Sequence, residues 1–157
     1  MAEDDDIAIA VEPFDAPDGA GLRDELAAEL ERRYGRDSEP GEKPTAASVT
    51  RFVVARDGAG RAVGCGALRA IEPGVFEIKR MYVRDELRGR GVGRRLLAAL
   101  EDHAAALGAR RLLLETGLQQ PEAIRLYEQA GYRPLPCFGT YAGAEGSHCY
   151  GRDLDAG

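Results

Sequence analysis

The strongest structural signal in the chain is RDELRGRGVGRR at residues 84–95, which lies between segments of different hydrophobic period. The preceding residues 75–83 have the pattern of a strand, and the residues from 92 onward carry an apolar stripe of helical spacing. Closely spaced glycines let the main chain approach a ligand, and the first turn of a helix supplies unpaired N–H groups at the positive end of its dipole. The stretch therefore predicts an anion site at a strand-to-helix turn.

The charge of this stretch differs from that of the whole chain. Five of its twelve residues are arginine and two are acidic, a local charge of +3, whereas the 157-residue chain has 21 Lys and Arg against 27 Asp and Glu, a net charge of −6. Positive charge is thus concentrated where the geometry already favours an anion. The acidic balance of the whole chain argues against a nucleic-acid or anionic-membrane binder.

Two familiar phosphate-binding loops do not fit the stretch. The dinucleotide fingerprint GxGxxG needs a glycine where Arg94 stands, and the P-loop needs Gly-Lys-Ser/Thr, which is absent. A third pattern fits, because Arg88-x-x-Gly91-x-Gly93 resembles the Arg/Gln-x-x-Gly-x-Gly/Ala loop of the GCN5-related N-acetyltransferase (GNAT) superfamily. The resemblance implies that the bound anion is the pyrophosphate of acetyl-CoA.

Two further segments resemble the same superfamily. EIKRMYV at 77–83 is similar to its strand before the loop, and AIRLYEQAGY at 123–132 is similar to its A-x-x-L/F-Y-x-x-x-G-F/Y motif. Gln120 departs from the pattern, since it stands where many members carry Asn. The cofactor contacts that the resemblance implies are Met81, Tyr82, Val83, Arg88, Gly89, Arg90, Gly91, Val92, Gly93, Arg94 and Gln120.

Hydrophobic periodicity places the other elements. It predicts strands at 7–11, 51–55, 62–71, 75–83, 110–115, 132–138 and 149–154, and helices at 18–34, from about 92 to 108 and from 121 to about 131. The order is β-α-βββ-α-β-α-ββ, an α/β (α+β) fold with a mixed sheet and helices on its faces. We expect residues 1–157 to form one GNAT domain, in which the resemblance implies that the two central strands splay apart. Residues 35–48 are predicted to be a surface loop.

The cysteines and the first residues suggest a compartment. Cys65, Cys137 and Cys149 are an odd number without CxxC spacing, so we predict reduced, structural thiols and no metal site. The opening MAEDDDIAIAVEP has no basic region or long apolar run of a secretory signal, and no apolar run elsewhere approaches a membrane span. These observations predict a cytoplasmic protein that binds neither membrane nor nucleic acid.

The resemblance also implies a mechanism, direct attack of a primary amine on the acetyl-CoA thioester. The departing thiolate needs an acid, and a phenol held nearby can protonate it or stabilise its charge. Tyr127, inside the second motif, is the candidate. Outside that motif, the same tyrosine would be read as a core residue with its hydroxyl at the edge.

The attacking amine must lose a proton, because an alkyl ammonium is almost entirely protonated at neutral pH. Glu77 resembles the glutamate that some superfamily members use as a base. Strand alternation puts Lys79 on the same face, and an ion pair there would make Glu77 a weaker base. Glu115, at the end of a buried strand, and water are the alternatives, and Glu77 could also anchor the substrate or form an ordinary structural ion pair.

The acceptor is the least determined part of the reaction. Glu115, Phe138 and Tyr141 are candidate substrate-binding residues, although 138 and 141 could equally lie in a plain connection between strands. A small-molecule amine is the expected acceptor, with a protein N-terminus or a lysine side chain as alternatives. A CoA-binding sensor without turnover and a nucleotide-binding protein are the competing functions, and a homodimer is possible because it is common in the family.

Overall fold

The computed structural model describes residues 6–34, 45, 47–117, 121–143 and 147–154. Gln120 and most of the loop predicted at 35–48 lie outside the described residues. Within them, the strands and α-helices follow the predicted order. They are β1 Ala8–Val11, α1 Pro17–Tyr34, β2 Arg51–Arg56, β3 Ala62–Glu72, β4 Val75–Val83, α2 Val92–Ala106, β5 Arg111–Gly117, α3 Pro121–Gln129, β6 Arg133–Leu135 and β7 Ser147–Asp153. Two short 3-10 turns, at Asp85–Leu87 and Gly139–Tyr141, were not predicted.

The strands form one mixed sheet, as predicted. Its order is β1-β2-β3-β4-β5-β7-β6, with β4 and β5 parallel and every other neighbouring pair antiparallel. The run Leu112–Leu114 is buried in β5, because this central strand is covered on both faces. None of the helices that the structure describes is long and apolar enough to cross a membrane.

An apolar layer covers each face of the sheet. Under α2, Leu96, Leu97 and Leu100 are buried in the larger core cluster. On the opposite face, Leu22 of α1 packs with Phe52 in the smaller cluster. Each fully buried leucine contributes roughly 1.5–3 kcal/mol, so these stripes are the main reason that the helices dock where they do.

Close packing between β3, β4 and α2 allows a test of the core. A Cβ atom on Gly64 would lie 2.9 Å from the carbonyl oxygen of Tyr82 and 3.0 Å from Cδ1 of Leu96. We expect Gly64→Ala to lower the free energy of unfolding by about 1–3 kcal/mol. Gly21→Ala in α1, where nothing lies within 4 Å of the new methyl group, should raise it by about 0.5–1 kcal/mol. Urea denaturation of both variants checks this, and equal stabilities would contradict the packing argument.

The parallel pairing of β4 with β5 is short. It covers four residue pairs, from Val75 with Arg111 to Ile78 with Leu114. Beyond Ile78, β4 continues beside β3 to Val83, and beyond Leu114, β5 continues beside β7 to Gly117. The two central strands therefore separate towards their carboxyl ends, which confirms the predicted splay.

A β-bulge lies in β4 beside this split. The register with β3 shifts between Cys65 and Ala67, so that Arg80 and Met81 together oppose Gly66. Arg80 has a φ of 57°, in the left-handed region that side chains rarely adopt. The extra residue changes the direction in which all later side chains of the strand point.

The core clusters reveal this change of direction. Before the bulge, Phe76 and Ile78 pack in the cluster under α2, and after it Met81 and Val83 do. Tyr82 accordingly packs against the cluster on the α1 face. The bulge thus exchanges odd and even positions between the two faces of the sheet.

The prediction that all three cysteines are reduced is wrong for two of them. Cys137 and Cys149 form a disulfide, with their Cα atoms 5.0 Å apart. Leu135 pairs with Cys149 across β6 and β7, so the strand register brings Cys137, two residues further on, to its partner. The sequence spacing held no such signal. Cys65 is a free thiol, and burial raises its pKa to about 12, as expected for a cysteine that packs rather than attacks.

The disulfide closes a short loop and should contribute to stability. We expect a reductant to lower the free energy of unfolding by about 2–3 kcal/mol, chiefly because reduction removes a constraint on the unfolded chain. Denaturation with and without dithiothreitol measures the difference. The double variant Cys137→Ala/Cys149→Ala is the control and should not respond to the reductant, whereas an unresponsive wild type would refute the contribution.

Candidate active site

The glycine loop connects the end of β4 to the start of α2. After the 85–87 turn, Gly89 and Gly91 have φ values of 79° and 84°. Gly91 is the N-cap of α2 and provides no side-chain cap. Only glycine adopts this left-handed conformation readily, which explains its place at the helix start.

Four main-chain N–H groups of the loop and helix start are open within the described part of the chain. No protein group among the described residues accepts a hydrogen bond from the N–H of Gly89, Gly91, Val92 or Gly93. These donors lie at the N-terminus of a 15-residue helix, where the helix dipole adds positive potential. Donors of this kind at a helix start suit a phosphate or diphosphate.

Arg88 holds the base of this loop through its side chain. Its Nε donates to the carbonyl oxygen of Val83 at 2.8 Å, its Nη2 lies 2.7 Å from a carboxylate oxygen of Glu29, and its Nη1 lies 2.5 Å from Asp85. The guanidinium is therefore engaged with protein acceptors. The predicted role of Arg88 in cofactor binding stays a prediction, and its described contacts are those of a loop anchor.

Other side chains of the loop region connect α2 to its neighbours. Arg94 donates to Gln129 of α3 at 3.3 Å, and Arg95 donates to the carbonyl oxygen of Ile7 at 2.8 Å. A Cβ atom on Gly93 would lie 3.4 Å from Leu126, so α2 and α3 approach closely there. These contacts place α3, with Tyr127, next to the first turn of α2.

Tyr127 is buried in the cluster under α2. Its ring lies edge-on to that of Tyr132, with centroids 5.9 Å apart. Within the described residues, its hydroxyl makes no hydrogen bond, whereas the Tyr132 hydroxyl donates to Glu101 at 2.8 Å. Burial raises the pKa of Tyr127 far above its ordinary value, so the phenol keeps its proton at neutral pH. It can therefore donate a proton but cannot accept one.

Glu77 is buried in a polar cluster on the α1 face of the sheet. Its side chain is 1% exposed, and Nζ of Lys79 lies 3.5 Å from Oε2, so the ion pair that the sequence analysis left open as an alternative is present. The Tyr141 hydroxyl donates to Oε2 at 2.8 Å, and Nη2 of Arg69 lies 3.0 Å from Oε1 without hydrogen-bond geometry. Lys79 in turn donates to the Tyr141 hydroxyl at 2.5 Å.

The structure thus brings Glu77 and Tyr141 together, although the sequence analysis named them for different roles. Phe138 stacks edge-on against Tyr141, with ring centroids 5.3 Å apart. Glu115 accepts a hydrogen bond from Ser147 at 2.8 Å. Arg69 was not predicted, because it lies opposite Glu77 only through the register shift between Ala70 and Glu72 in β3.

Sequence reasoning also missed the acidic residues of α1 that face the loop. Glu25 binds Arg84 and Glu29 binds Arg88, each with a closest distance of 2.7 Å. Tyr82 donates to Glu25 at 3.2 Å, and burial, followed by the charge of Glu25, raises the pKa of Tyr82 to about 12. Carboxylates four residues apart on a helix are too common to have indicated these contacts.

A mixed sheet that divides beside a glycine loop with open N–H groups is the architecture of an acyl-CoA-binding transferase. A family model for the acetyltransferase (GNAT) family matches residues 20–132, and the chain belongs to this family. The predicted fold and superfamily are thereby confirmed.

Several known proteins are similar to the chain. The IAA acetyltransferase of Azospirillum brasilense is 42% identical over 125 residues, which are 74% of this chain and 80% of that protein. A solved structure from Klebsiella pneumoniae, provisionally named an acyl-CoA N-acyltransferase, has 31% identity and a TM-score of 0.83 over 95% of this chain and 98% of that one. A GNAT acetyltransferase of Elizabethkingia anophelis, solved with acetyl-CoA bound, shares the fold at 20% identity and a TM-score of 0.70, over 96% of this chain and 99% of that one.

Proposed function

We propose that this protein transfers the acetyl group of acetyl-CoA to a primary amine of a small molecule by direct attack. The observation that carries the proposal is the row of open N–H groups at Gly89, Gly91, Val92 and Gly93, next to the split between β4 and β5. A diphosphate bound to the loop would direct the rest of acetyl-CoA into the split. The main chain around Met81 on β4 would then pair with the pantetheine arm, as an added strand does.

The carbonyl oxygen of Val83 is already used in this arrangement, because it accepts a hydrogen bond from Nε of Arg88. Pairing to the pantetheine arm therefore falls to other main-chain groups of the strand end, from Met81 to Val83. This fits a cofactor that inserts at the bulge, where β4 turns away from β5.

The reaction needs one bond to form and one to break. The amine nitrogen bonds to the acetyl carbon, and the bond from that carbon to sulfur breaks, releasing a thiolate. We assign Tyr127 to protonate this thiolate, since its phenol is held in the neutral form. The proton that the amine loses passes to Glu77, to Glu115 or to water.

The two glutamates can be distinguished by matched substitutions. We expect Glu77→Gln to lower kcat/KM at neutral pH by about tenfold or more, as for the loss of a positioned base, and Glu115→Gln to have a smaller effect. Initial rates between pH 6 and pH 9 measure both, with circular dichroism to check that each variant is folded. Unchanged activity of Glu77→Gln would assign the base to Glu115 or to water.

A panel of acceptors tests the proposed function. Release of free thiol from acetyl-CoA should depend on an added amine, and polyamines, amino acids, aminoglycoside-type amines and a lysine peptide cover the alternatives. IAA belongs in the panel because of the name of the Azospirillum relative. Binding of acetyl-CoA without thiol release for any acceptor would instead favour a CoA-binding sensor, and tighter binding of ATP or NAD would favour a nucleotide-binding protein.

Location and assembly belong to the proposal as well. A cytoplasmic location stays a prediction, and the Cys137–Cys149 disulfide weighs against a strongly reducing compartment, where such bonds are uncommon. A small-molecule acceptor and a homodimer are likewise proposed, and size-exclusion chromatography with light scattering decides the latter.

A further inference from the structure

Helix α1 is joined to the glycine loop by two parallel ion pairs. Nη2 of Arg84 lies 2.7 Å from Glu25 Oε2, and Nη2 of Arg88 lies 2.7 Å from Glu29 Oε1. The two carboxylates are one helical turn apart, and the two arginines flank the 85–87 turn, so the spacing is four residues on each side. The two pairs therefore fix the loop segment in both position and orientation.

Residues of both ion pairs also contact the end of β4. Tyr82 donates to Glu25 Oε1, its ring centroid lies 5.5 Å from the guanidinium carbon of Arg88, and Arg88 Nε binds the Val83 carbonyl oxygen. We call the five residues Glu25, Glu29, Tyr82, Arg84 and Arg88 the α1 clamp. It connects three parts of the fold, the end of β4, the base of the loop and the middle of α1.

The α1 clamp differs from an ordinary surface ion pair, which contributes little. The side chains of Glu29 and Arg88 are 14% and 29% exposed. Arg84 binds Glu25 through two nitrogens, since its Nε also donates to Oε1 at 3.1 Å. Two-pronged contacts of this kind restrict geometry more strongly than single contacts do.

The tip of the glycine loop makes no close packing contact with the described residues at its two left-handed glycines. A Cβ atom on Gly89 or Gly91 would meet none of them within 4 Å. Val92 and Gly93 belong to α2, and Val92 is buried in the larger core cluster. The N–H groups of Gly89 and Gly91 therefore depend most on the base of the loop, where Arg88 contacts both Glu29 and the end of β4. A shift there would move these two donors relative to the split between β4 and β5.

We propose that Glu25 and Glu29 are positioning residues for acetyl-CoA, acting through Arg84 and Arg88 on the main-chain donors of the loop. This inference rests on the proposed function. In this arrangement the Arg88 side chain binds protein groups and not the diphosphate. The opposite assignment, Arg88 as a direct phosphate ligand restrained by Glu29, predicts the reverse sign, because removing the Glu29 charge would then release Arg88 towards the anion and tighten binding.

The test compares two acetyl donors. In Glu29→Gln we expect the Kd for acetyl-CoA, measured by calorimetry, to rise about tenfold, with kcat at saturation little changed. The acetyl thioester of N-acetylcysteamine has no diphosphate, so its kcat/KM should stay at the wild-type value. Glu31→Gln, on an exposed face of the same helix, is the control and should match the wild type with both donors.

Three results would overturn the inference: tighter binding of acetyl-CoA, an unchanged Kd, or an equal loss with both donors, which indicates general disruption of the fold. Glu25→Gln repeats the comparison at the second ion pair. It should also raise the Kd for acetyl-CoA without changing kcat/KM for the N-acetylcysteamine thioester. A wild type that fails to bind acetyl-CoA would instead refute the proposed function, so the two failures are distinguishable.

Discussion

Replacing Tyr127 with phenylalanine is expected to lower kcat by about 10²-fold or more, while the Kd for acetyl-CoA stays close to that of the wild type. The phenol lies in the core under α2, and burial raises its pKa far above the ordinary value. The neutral, proton-donating form is thus maintained, and the substitution removes the donor without removing the ring. Steady-state rates together with calorimetry separate the two quantities.

A second buried tyrosine provides the control. Tyr132→Phe removes a hydroxyl from the ring that contacts Tyr127, but this hydroxyl is engaged by Glu101. It should lower stability by about 1 kcal/mol and leave kcat nearly unchanged. Because the pKa of Tyr127 is raised, its ionisation should not reduce the wild-type rate at any pH up to about 10. Equal kcat values for Tyr127→Phe and the wild type throughout this pH range would exclude the acid role.

Replacing Gly91 with alanine should weaken the binding of acetyl-CoA and raise its Kd by about tenfold or more. Alanine at a φ of 84° costs about 1 kcal/mol in the free protein, and relief of that strain would rotate the N–H groups at the start of α2 away from a common point. The new methyl group would meet none of the described residues within 4 Å, so the expected effect is one of backbone conformation. Calorimetric titration with acetyl-CoA measures it.

Gly108, just beyond the opposite end of α2, is a matched control. Its φ is 87°, and a Cβ atom there would also meet nothing within 4 Å. Gly108→Ala should therefore cost a similar amount of stability and leave the Kd for acetyl-CoA unchanged. An equal rise in the Kd for acetyl-CoA in both variants would indicate that the loss of binding comes from the stability of α2 and not from the loop.

The fold could be predicted from the sequence because its determinants are local. Alternating and helical apolar patterns placed every strand and helix within a few residues, and the continuous apolar run Leu112–Leu114 is buried in the central strand β5. The short strand β6 was predicted too long, since its apolar flank at Phe138 leads into the 139–141 turn rather than extending the sheet. Such ends depend on tertiary contacts that no local pattern records.

The parts of the candidate site that sequence missed depend on register and on docking. The Cys137–Cys149 bond follows from the pairing of β6 with β7, and Arg69 reaches Glu77 through the β3–β4 register. Glu29 meets Arg88 only because α1 docks beside the end of β4. The motif named Arg88 as a cofactor contact, which stays a prediction, and its partner Glu29 lies 59 positions away, beyond any motif.

The short β4–β5 pairing has a consequence for the mechanics of the molecule. Four residue pairs join strands β1 to β4 to strands β5 to β7. The two groups of strands are therefore held together at one end of the sheet and can separate at the other. Changing the angle between the two groups of strands would break few hydrogen bonds at this junction, so we expect it to vary more easily than the geometry within either group. If acetyl-CoA binds between them, as proposed above, it would fix this angle, and the departure of free CoA would remove that restraint.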